Sequence, residues 1–332
     1  MRVPGRGTRV PPPVATSPDS AVPLVIAVGS INADHQMRLP HPVGSGTTLA
    51  TSLLRASGGK GANVAVGVTR LGLDAALVGC VGHDELAPLA LAGPRAAGVD
   101  LDGVGTVDQP TGLSTVLVQD DGSKSIVLAL GANAEPHPHL ERACALVEGA
   151  PPGSLLVVCA EVHPDLCHAV IEAAADRLTV VVDPAPPDRV TPQMLRGADH
   201  LLPDHHEASV LAGVDVVDPL SALRAARALR DRGAGCVHVK LPEGGAVCSS
   251  PEREWVAHAP ERLDVVDTNG AGDAFAIGVT SSLARGDALP DVVRAGTAAS
   301  ACAVQWWGAQ ASFPDRAALA QMAARVEVEP AG

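Results

Sequence analysis

The chain has 332 residues, 46% of them apolar, yet only three Trp and two Phe and no Tyr. A chain of this length holds one large α/β domain or two ordinary ones, and a core poor in rings must be packed from Val, Leu, Ala and Gly, which suits parallel strands and closely approaching helices. The net charge of −13 argues against a nucleic-acid surface, because proteins that grip phosphate backbones carry a basic field.

Residues 1–23 are rich in Pro, Arg, Ser and Thr and contain no apolar core of a signal peptide, so a disordered tail is expected there. No later stretch reaches about eighteen apolar residues free of glycine or charge. The expectation is a soluble, cytoplasmic protein without a membrane partner. Cys80, Cys144, Cys159, Cys167, Cys236, Cys248 and Cys302 are odd in number, scattered and without a CxxC pair, which reads as free thiols in a reducing compartment.

Residues 24–29 form a continuous apolar run ending in Gly29, the pattern of a strand buried on both faces. Asn32 and Asp34 follow its C-terminal end, where ligands gather in open α/β sheets. Poor alternation over 36–56 suggests short strands of an accessory sheet. A helix over 60–71, a strand over 75–81 and a helix over 85–97 complete a right-handed βαβ unit. Residues 111–130 break that rhythm: strands over 113–119 and 125–130 flank Asp120-Asp121-Gly122-Ser123, a hairpin signal. Strand and helix alternation resumes at 155–159, 164–175, 179–182, 201–202, 207–211 and 219–232, followed by 237–241 and 246–249.

The most informative stretch is residues 266–275. Asp264, Val265 and Val266 read as a short strand, and residues 274–284 as a helix of small side chains, so 269–272 is a strand-to-helix turn. Unpaired amides and the positive end of the dipole make such a terminus an anion site, and glycines admit a phosphate close to the backbone. Asp273, in the first turn, could accept a proton from a hydroxyl, or could merely complement the dipole.

The string Asp267-Thr268-Asn269-Gly270-Ala271-Gly272-Asp273 resembles the C-terminal signature of the ribokinase-like (PfkB) carbohydrate kinases. Gly58-Gly59-Lys60-Gly61-Ala62-Asn63 resembles the sugar-binding motif of that family, and the likeness runs from about residue 24 to 314. Gly29-Ser30-Ile31-Asn32-Ala33-Asp34-His35 is closer to the ribokinases of the family than to its fructose- or adenosine-using members. The resemblance implies a Rossmann-like three-layer α/β/α sandwich over 24–325, a small β-sheet lid from 36–56 and 111–130, and a C-terminal tail over 326–332. It also implies a homodimer clasped through the lids. By the same resemblance Asp273 is the general base, and Gly270, Ala271 and Gly272 form the anion hole. Asn32, Asp34, Gly59, Lys60, Asn63 and Glu161 would bind the sugar. Gly131-Ala132-Asn133-Ala134 matches a further family segment, and Asp183-Pro184-Ala185-Pro186 would shape the nucleotide side.

For ATP, the resemblance points to Asp204, Lys240, Glu243, Gly245 and Gly272, with Glu207 acting through Mg2+. The string Gly308-Ala309-Gln310-Ala311-Ser312-Phe313-Pro314 implies a loop that helps cage K+, with Asp267, Asn269, Ala303, Trp306, Gly308 and Ser312 as ligands. The nucleotide side departs from the family pattern. Asp204-His205-His206-Glu207 stands where Asn-x-x-Glu is usual, and Lys240-Leu241-Pro242-Glu243-Gly244-Gly245 where Thr-x-Gly-x-x-Gly is usual. Gly296 stands where a larger residue often meets the base. Asp204 would repel a phosphate, Pro242 supplies no amide donor, and Lys240 is either a phosphate-binding cation or a solvated lysine at a strand end. The expectation is a raised KM for ATP with a measurable kcat. His205-His206 and His137-Pro138-His139 lack a third ligand at zinc spacing, and no GxxxxGK[ST] supports a P-loop. The function implied is ATP-dependent phosphorylation of a sugar primary hydroxyl, foremost D-ribose at O5. The alternatives are a nucleoside or other sugar kinase, and a sugar-binding regulatory protein with an impaired nucleotide site.

Overall fold

Short apolar runs such as LVIAV and LLVVC do not alternate, so they need cover on both faces. The computed structural model of the chain, which describes residues 23–119, 124–174 and 176–331, provides it. All but the last residue of the tail expected over 1–23, and the turn over 120–123, lie outside the described residues. The strands are β1 (Leu24–Val28), β2 (Asn32–Leu39), β3 (Ser52–Gly58), β4 (Asp74–Gly82), β5 (Asp100–Val107), β6 (Gly112–Gln119), β7 (Lys124–Ala129), β8 (Leu155–Cys159), β9 (Thr179–Asp183), β10 (His200–Leu201), β11 (Cys236–Lys240), β12 (Ala246–Ser249), β13 (Glu254–Ala257) and β14 (Val328–Pro330). The helices are α1 (Lys60–Arg70), α2 (Ala87–Ala90), α3 (Ala92–Ala96), α4 (Leu140–Glu148), α5 (Pro164–Ala174), α6 (Pro192–Gly197), α7 (His205–Ala212), α8 (Pro219–Asp231), α9 (Ala271–Ala284), α10 (Leu289–Ala303), α11 (Ala309–Ser312) and α12 (Arg316–Ala323).

Among the described residues the larger sheet has the order β14-β13-β12-β11-β10-β9-β8-β1-β4-β5. From β11 to β5 every pairing is parallel, and β12, β13 and β14 add antiparallel. The chain leaves β1 toward β4 and β5, then returns to β8 on the other side. Strand order therefore reverses at β1, and a crevice opens beyond the carboxyl ends of β1 and β8, where open α/β sheets hold their ligands. One core, with Val25, Ala27 and Leu155, lies under α1, α9, α10 and α12; the other, with Ile26, Val28 and Leu156, lies under α4, α5, α6 and α8. This is the expected three-layer sandwich. A second sheet, β3-β2-β6-β7, stands over the crevice as the expected lid.

Small side chains let the helices come very close. A Cβ added at Gly278 of α9 would lie 2.3 Å from the Ala295 carbonyl oxygen of α10, and backbone cannot step aside for it. Phe275 of α9 is fully buried in that layer, which also takes in the ring of Phe313.

Four expectations need correction. The helix expected over 85–97 is two pieces, α2 and α3, because Pro94 has no N–H for the Ala90 carbonyl. Residues 264–266 pair with no strand: Val266 and Asp267 instead donate their N–H groups to Val304 O at 2.8 and 3.2 Å. Residues 36–56 hold only the end of β2 and the start of β3, strands of 8 and 7 residues in the accessory sheet that run past both expected bounds. The expected tail beyond 325 contains β14, which pairs with β13 and ends in Pro330 at a sheet edge, where a missing donor costs nothing. No helix of the described residues is long and apolar enough to cross a membrane.

Candidate active site

A cleft of about 820 Å³ lies between the lid and the carboxyl ends of the large sheet. Asn32 and Asp34 reach it from β2, Gly59, Lys60 and Asn63 from the start of α1, and Glu161 from beyond β8. Asp204, Glu207, Lys240, Glu243 and Gly245 line its other end, and Asn269, Gly270, Ala271, Gly272 and Asp273 form the floor between. Gly270 has φ +77°, and a Cβ there would meet Ala309 Cα at 2.9 Å, so only glycine admits this turn into α9.

Two helix N-termini meet at the centre. Asn63 Nδ2 donates to Asp273 Oδ2 at 2.7 Å, and Lys60 Nζ stands 3.4 Å from Asp273 Oδ1. Lys60 Nζ also lies 3.1 Å from Asp183 Oδ2. Asp183, expected to shape the nucleotide side, is buried and pairs with Lys60. Ser30 Oγ accepts from the Lys60 N–H at 2.9 Å and donates to Glu161 Oε2 at 2.6 Å, fixing that carboxylate at the mouth of the switch point. Asn133, from the segment expected beside the lid hairpin, stays below the cleft. Its Oδ1 accepts from Ile31 N and its Nδ2 donates to Asn32 Oδ1 at 2.8 Å, so it orients a cleft residue.

At the other end, Asp204 is the N-cap of α7. Its Oδ1 accepts from Glu207 N and its N–H donates to Glu207 Oε2, both at 2.8 Å, a reciprocal capping box. Aspartate thus does the capping that asparagine would do, and one of its oxygens is committed to its own helix. Lys240 Nζ stands 3.5 Å from where a Gly272 Cβ would be, directly beside the floor glycines. Of the segments expected to cage a cation, only Asn269 lines the cleft; Trp306 and Ser312 border a separate cavity of about 490 Å³. The segments do converge. Asp267 Oδ2 accepts from Gln36 Nε2 at 2.9 Å and Gly308 N at 3.1 Å, while Oδ1 accepts from Asn269 N at 2.8 Å.

Residues 22–316 match the pfkB family carbohydrate kinases. The chain is a member of that family. This kinase is 32% identical over 300 residues to a ribokinase of Haemophilus influenzae, covering 87% of this chain and 94% of that one. A solved structure of Arabidopsis thaliana ribokinase complexed with ribose and ATP superposes with a TM-score of 0.81 at 29% identity, covering 91% of this chain and 99% of that one. Thermotoga maritima ribokinase superposes with a TM-score of 0.76 at 26% identity, over 91% and 99%.

The end of the cleft around Asp34 and Lys60 is rich in carboxylates, and burial sets their protonation. Burial first, then the charges of Asp273 and Glu161, push the Asp34 carboxyl up to about 7. Asp34 Oδ1 is buried with no hydrogen-bond partner among the described residues, an acceptor without a donor, and a Cβ at Gly58 would collide with it. Burial also raises Glu161 and Glu207. Burial opposes the charge of Lys60, yet Asp183, Asp273, Glu161 and Glu207 outweigh it and hold the ammonium well above the usual lysine range. Burial likewise opposes the Asp183 anion, but Lys60 and Lys240 keep that carboxyl below the usual range.

Two residues with chemistry escaped the sequence reading. Thr297 on α10 lines the cleft with a buried Oγ1 that has no partner among the described residues; its only signal was a hydroxyl in a run of small residues. Lys124 of β7, an exposed residue, borders the cleft from the lid and brings a further ammonium to it.

Asp34 generates a prediction. Through the window from 3.8 to about 7 the folded chain keeps a proton that the unfolded chain has lost, so stability of the ligand-free protein falls as pH rises through that window. Asp34→Asn removes this penalty. Its thermal midpoint is expected to exceed the parent's at pH 8 and to match it near pH 4. A midpoint difference independent of pH would contradict the assignment.

Proposed function

We propose that the protein transfers the γ-phosphoryl group of ATP to a primary hydroxyl of a sugar, D-ribose at O5, giving ribose 5-phosphate. The observation that carries this is the meeting of Asp273 with Asn63 and Lys60 at the glycine turn of α9. A hydroxyl resting against the free side of Asp273 would lose its proton to that carboxylate as its oxygen attacks phosphorus. The N–H groups of Gly270, Ala271 and Gly272, at the positive end of α9, would take up charge on the moving phosphoryl group. Lys240, beside Gly272, supplies the cation that the departed Thr-x-Gly-x-x-Gly pattern lacks. The partnerless Asp34 Oδ1 is suited to a sugar hydroxyl. The choice of ribose is supported by the Gly29 to His35 string and by the ribokinases among the relatives.

Mg2+ favours one or two carboxylates plus phosphate oxygens, and Glu207 beside Lys240 fits that pattern; the ion would neutralise charge between ATP and the acidic cleft. K+ suits a ring of carbonyls. Both oxygens of Asp267 already accept N–H groups, which supports a cage made by the backbone of Asp267, Asn269, Ala303, Trp306 and Gly308 with Ser312. The lid carries exposed Leu53, Ile126 and Val127, 52%, 52% and 62% exposed, which supports a homodimer closed lid on lid. Seven free cysteines suit a reducing cytoplasm.

The test is a coupled assay over pentoses, hexoses and nucleosides with Mg-ATP. Ribose is expected to give the highest kcat/KM, and Asp273→Asn to lower kcat about a hundredfold or more while ribose still binds. In the same assay Lys240→Ala should raise KM for ATP about tenfold. Sugar binding without any sugar phosphate formed would make the chain a binding protein instead. Replacing K+ by a bulky organic cation at fixed ionic strength should lower the rate, and equal rates would remove the cation cage from the proposal.

A further inference from the structure

Side-chain amides can usually be turned over without an evident change in the structure, but one pair beside the base is fixed from outside. Pro94 has no N–H, so the Ala90 carbonyl lacks a helical donor. The Ser57 hydroxyl, near the end of β3, donates to that carbonyl at 2.6 Å. Having given its only proton, Ser57 Oγ can only accept, and Gln310 Nε2 donates to it at 3.2 Å. The same Nε2 donates to Asn63 Oδ1 at 3.0 Å. Asn63 is left with its Nδ2, which donates to Asp273 Oδ2. The room is matched to this arrangement: a Cβ at Gly93 of α3 would lie 2.0 Å from Gln310 Oε1.

We infer that Gln310 is a positioning residue for phosphoryl transfer, acting through Asn63 so that an N–H and never a carbonyl oxygen faces the base Asp273. The inference rests on the proposed role of Asp273. Turned over, Asn63 would set its Oδ1 against Asp273 Oδ2 with no proton between them. The carboxylate would then swing away from the place where Asn63 and Lys60 hold it. The Asn63 backbone cannot relieve this, because its N–H is held by Gly59 O at 2.8 Å. Gln310 lies on α11, in the loop that also ties Gly308 N to Asp267, so the aim of the base is set from a segment remote in sequence from both glycine motifs.

The experiment uses Gln310→Met, which keeps length and removes the donors, and Gln310→Glu, which keeps shape and replaces donor by acceptor. Each is made in the parent and in Asn63→Ala. In the parent, Gln310→Met is expected to lower kcat about tenfold, the scale of a modest misplacement of a reacting group, and Gln310→Glu to lower it further, with KM for ATP unchanged. In Asn63→Ala the same changes should alter kcat by less than about twofold, because the residue through which they act is gone. Equal factors in the two backgrounds would overturn the inference, as a purely structural role predicts. A second readout is independent of turnover: the side-chain amide NMR signals of Asn63, assigned by their loss in Asn63→Ala, should move in both Gln310 variants. Unmoved signals would also overturn it. If the parent phosphorylates no sugar, the kinase reading falls and the amide signals alone decide the role of Gln310.

Discussion

An ammonium between two carboxylates holds the site together. Lys60 Nζ lies 3.1 Å from Asp183 and 3.4 Å from Asp273, with its side chain only 20% exposed. Asp34, Glu161, Asp183 and Asp273 crowd the ends of β1, β8 and β9, and anions so placed cost several kcal/mol each unless paired. One lysine at the first position of α1 makes their coexistence possible. Its placement follows from the backbone: Gly59 at φ +91° turns the chain into α1, and Ser30 Oγ holds the Lys60 N–H. The same hydroxyl holds Glu161, so the cation and one of the anions it balances are fixed by one serine at the switch point.

The lid is fastened into this arrangement rather than laid over it. Strand β2 carries Asn32 and Asp34 at its beginning and Gln36 two residues on, and Gln36 reaches Asp267 below the α9 turn. Strand β3 ends at Ser57 and Gly58, which touch the Ala90 carbonyl and make room for Asp34 respectively. The roots of the lid are therefore packed among polar groups that surround the α9 turn, whereas its outer strands expose apolar side chains.

What could be read from the sequence was local. The glycine strings, the both-face strands β1, β8 and β9, and the hairpin strands β6 and β7 each declare themselves within about ten residues. Asn32, Asp34, Lys60, Asn63 and Glu161, grouped by resemblance, do share one cleft. Contacts across long stretches of chain were invisible: Gln310 is 247 residues from Asn63, and Asp183 is 123 from Lys60. Nothing in their immediate neighbours signals the pairing. Asp264, Val265 and Val266 have strand composition, but composition does not provide a neighbour, and the segment hangs from Val304 instead. The break at Pro94 was legible by the simplest rule of helix chemistry. Its consequence, a carbonyl released for Ser57, was not.

The closeness of α9 and α10 also bears on how such a protein can diverge. With Gly278 against a backbone carbonyl, a larger residue at that contact forces the two helices apart and displaces Asp273 with them. The cleft is bordered as well by the hairpin after β11, the start of α7 and the strands of the lid, which lie outside that contact. Of the residues that depart from the family pattern, Asp204 caps α7, Lys240 ends β11 and Pro242 lies in the hairpin that follows it. A change of preference in this fold has to be built around the fixed seam of α9 and α10.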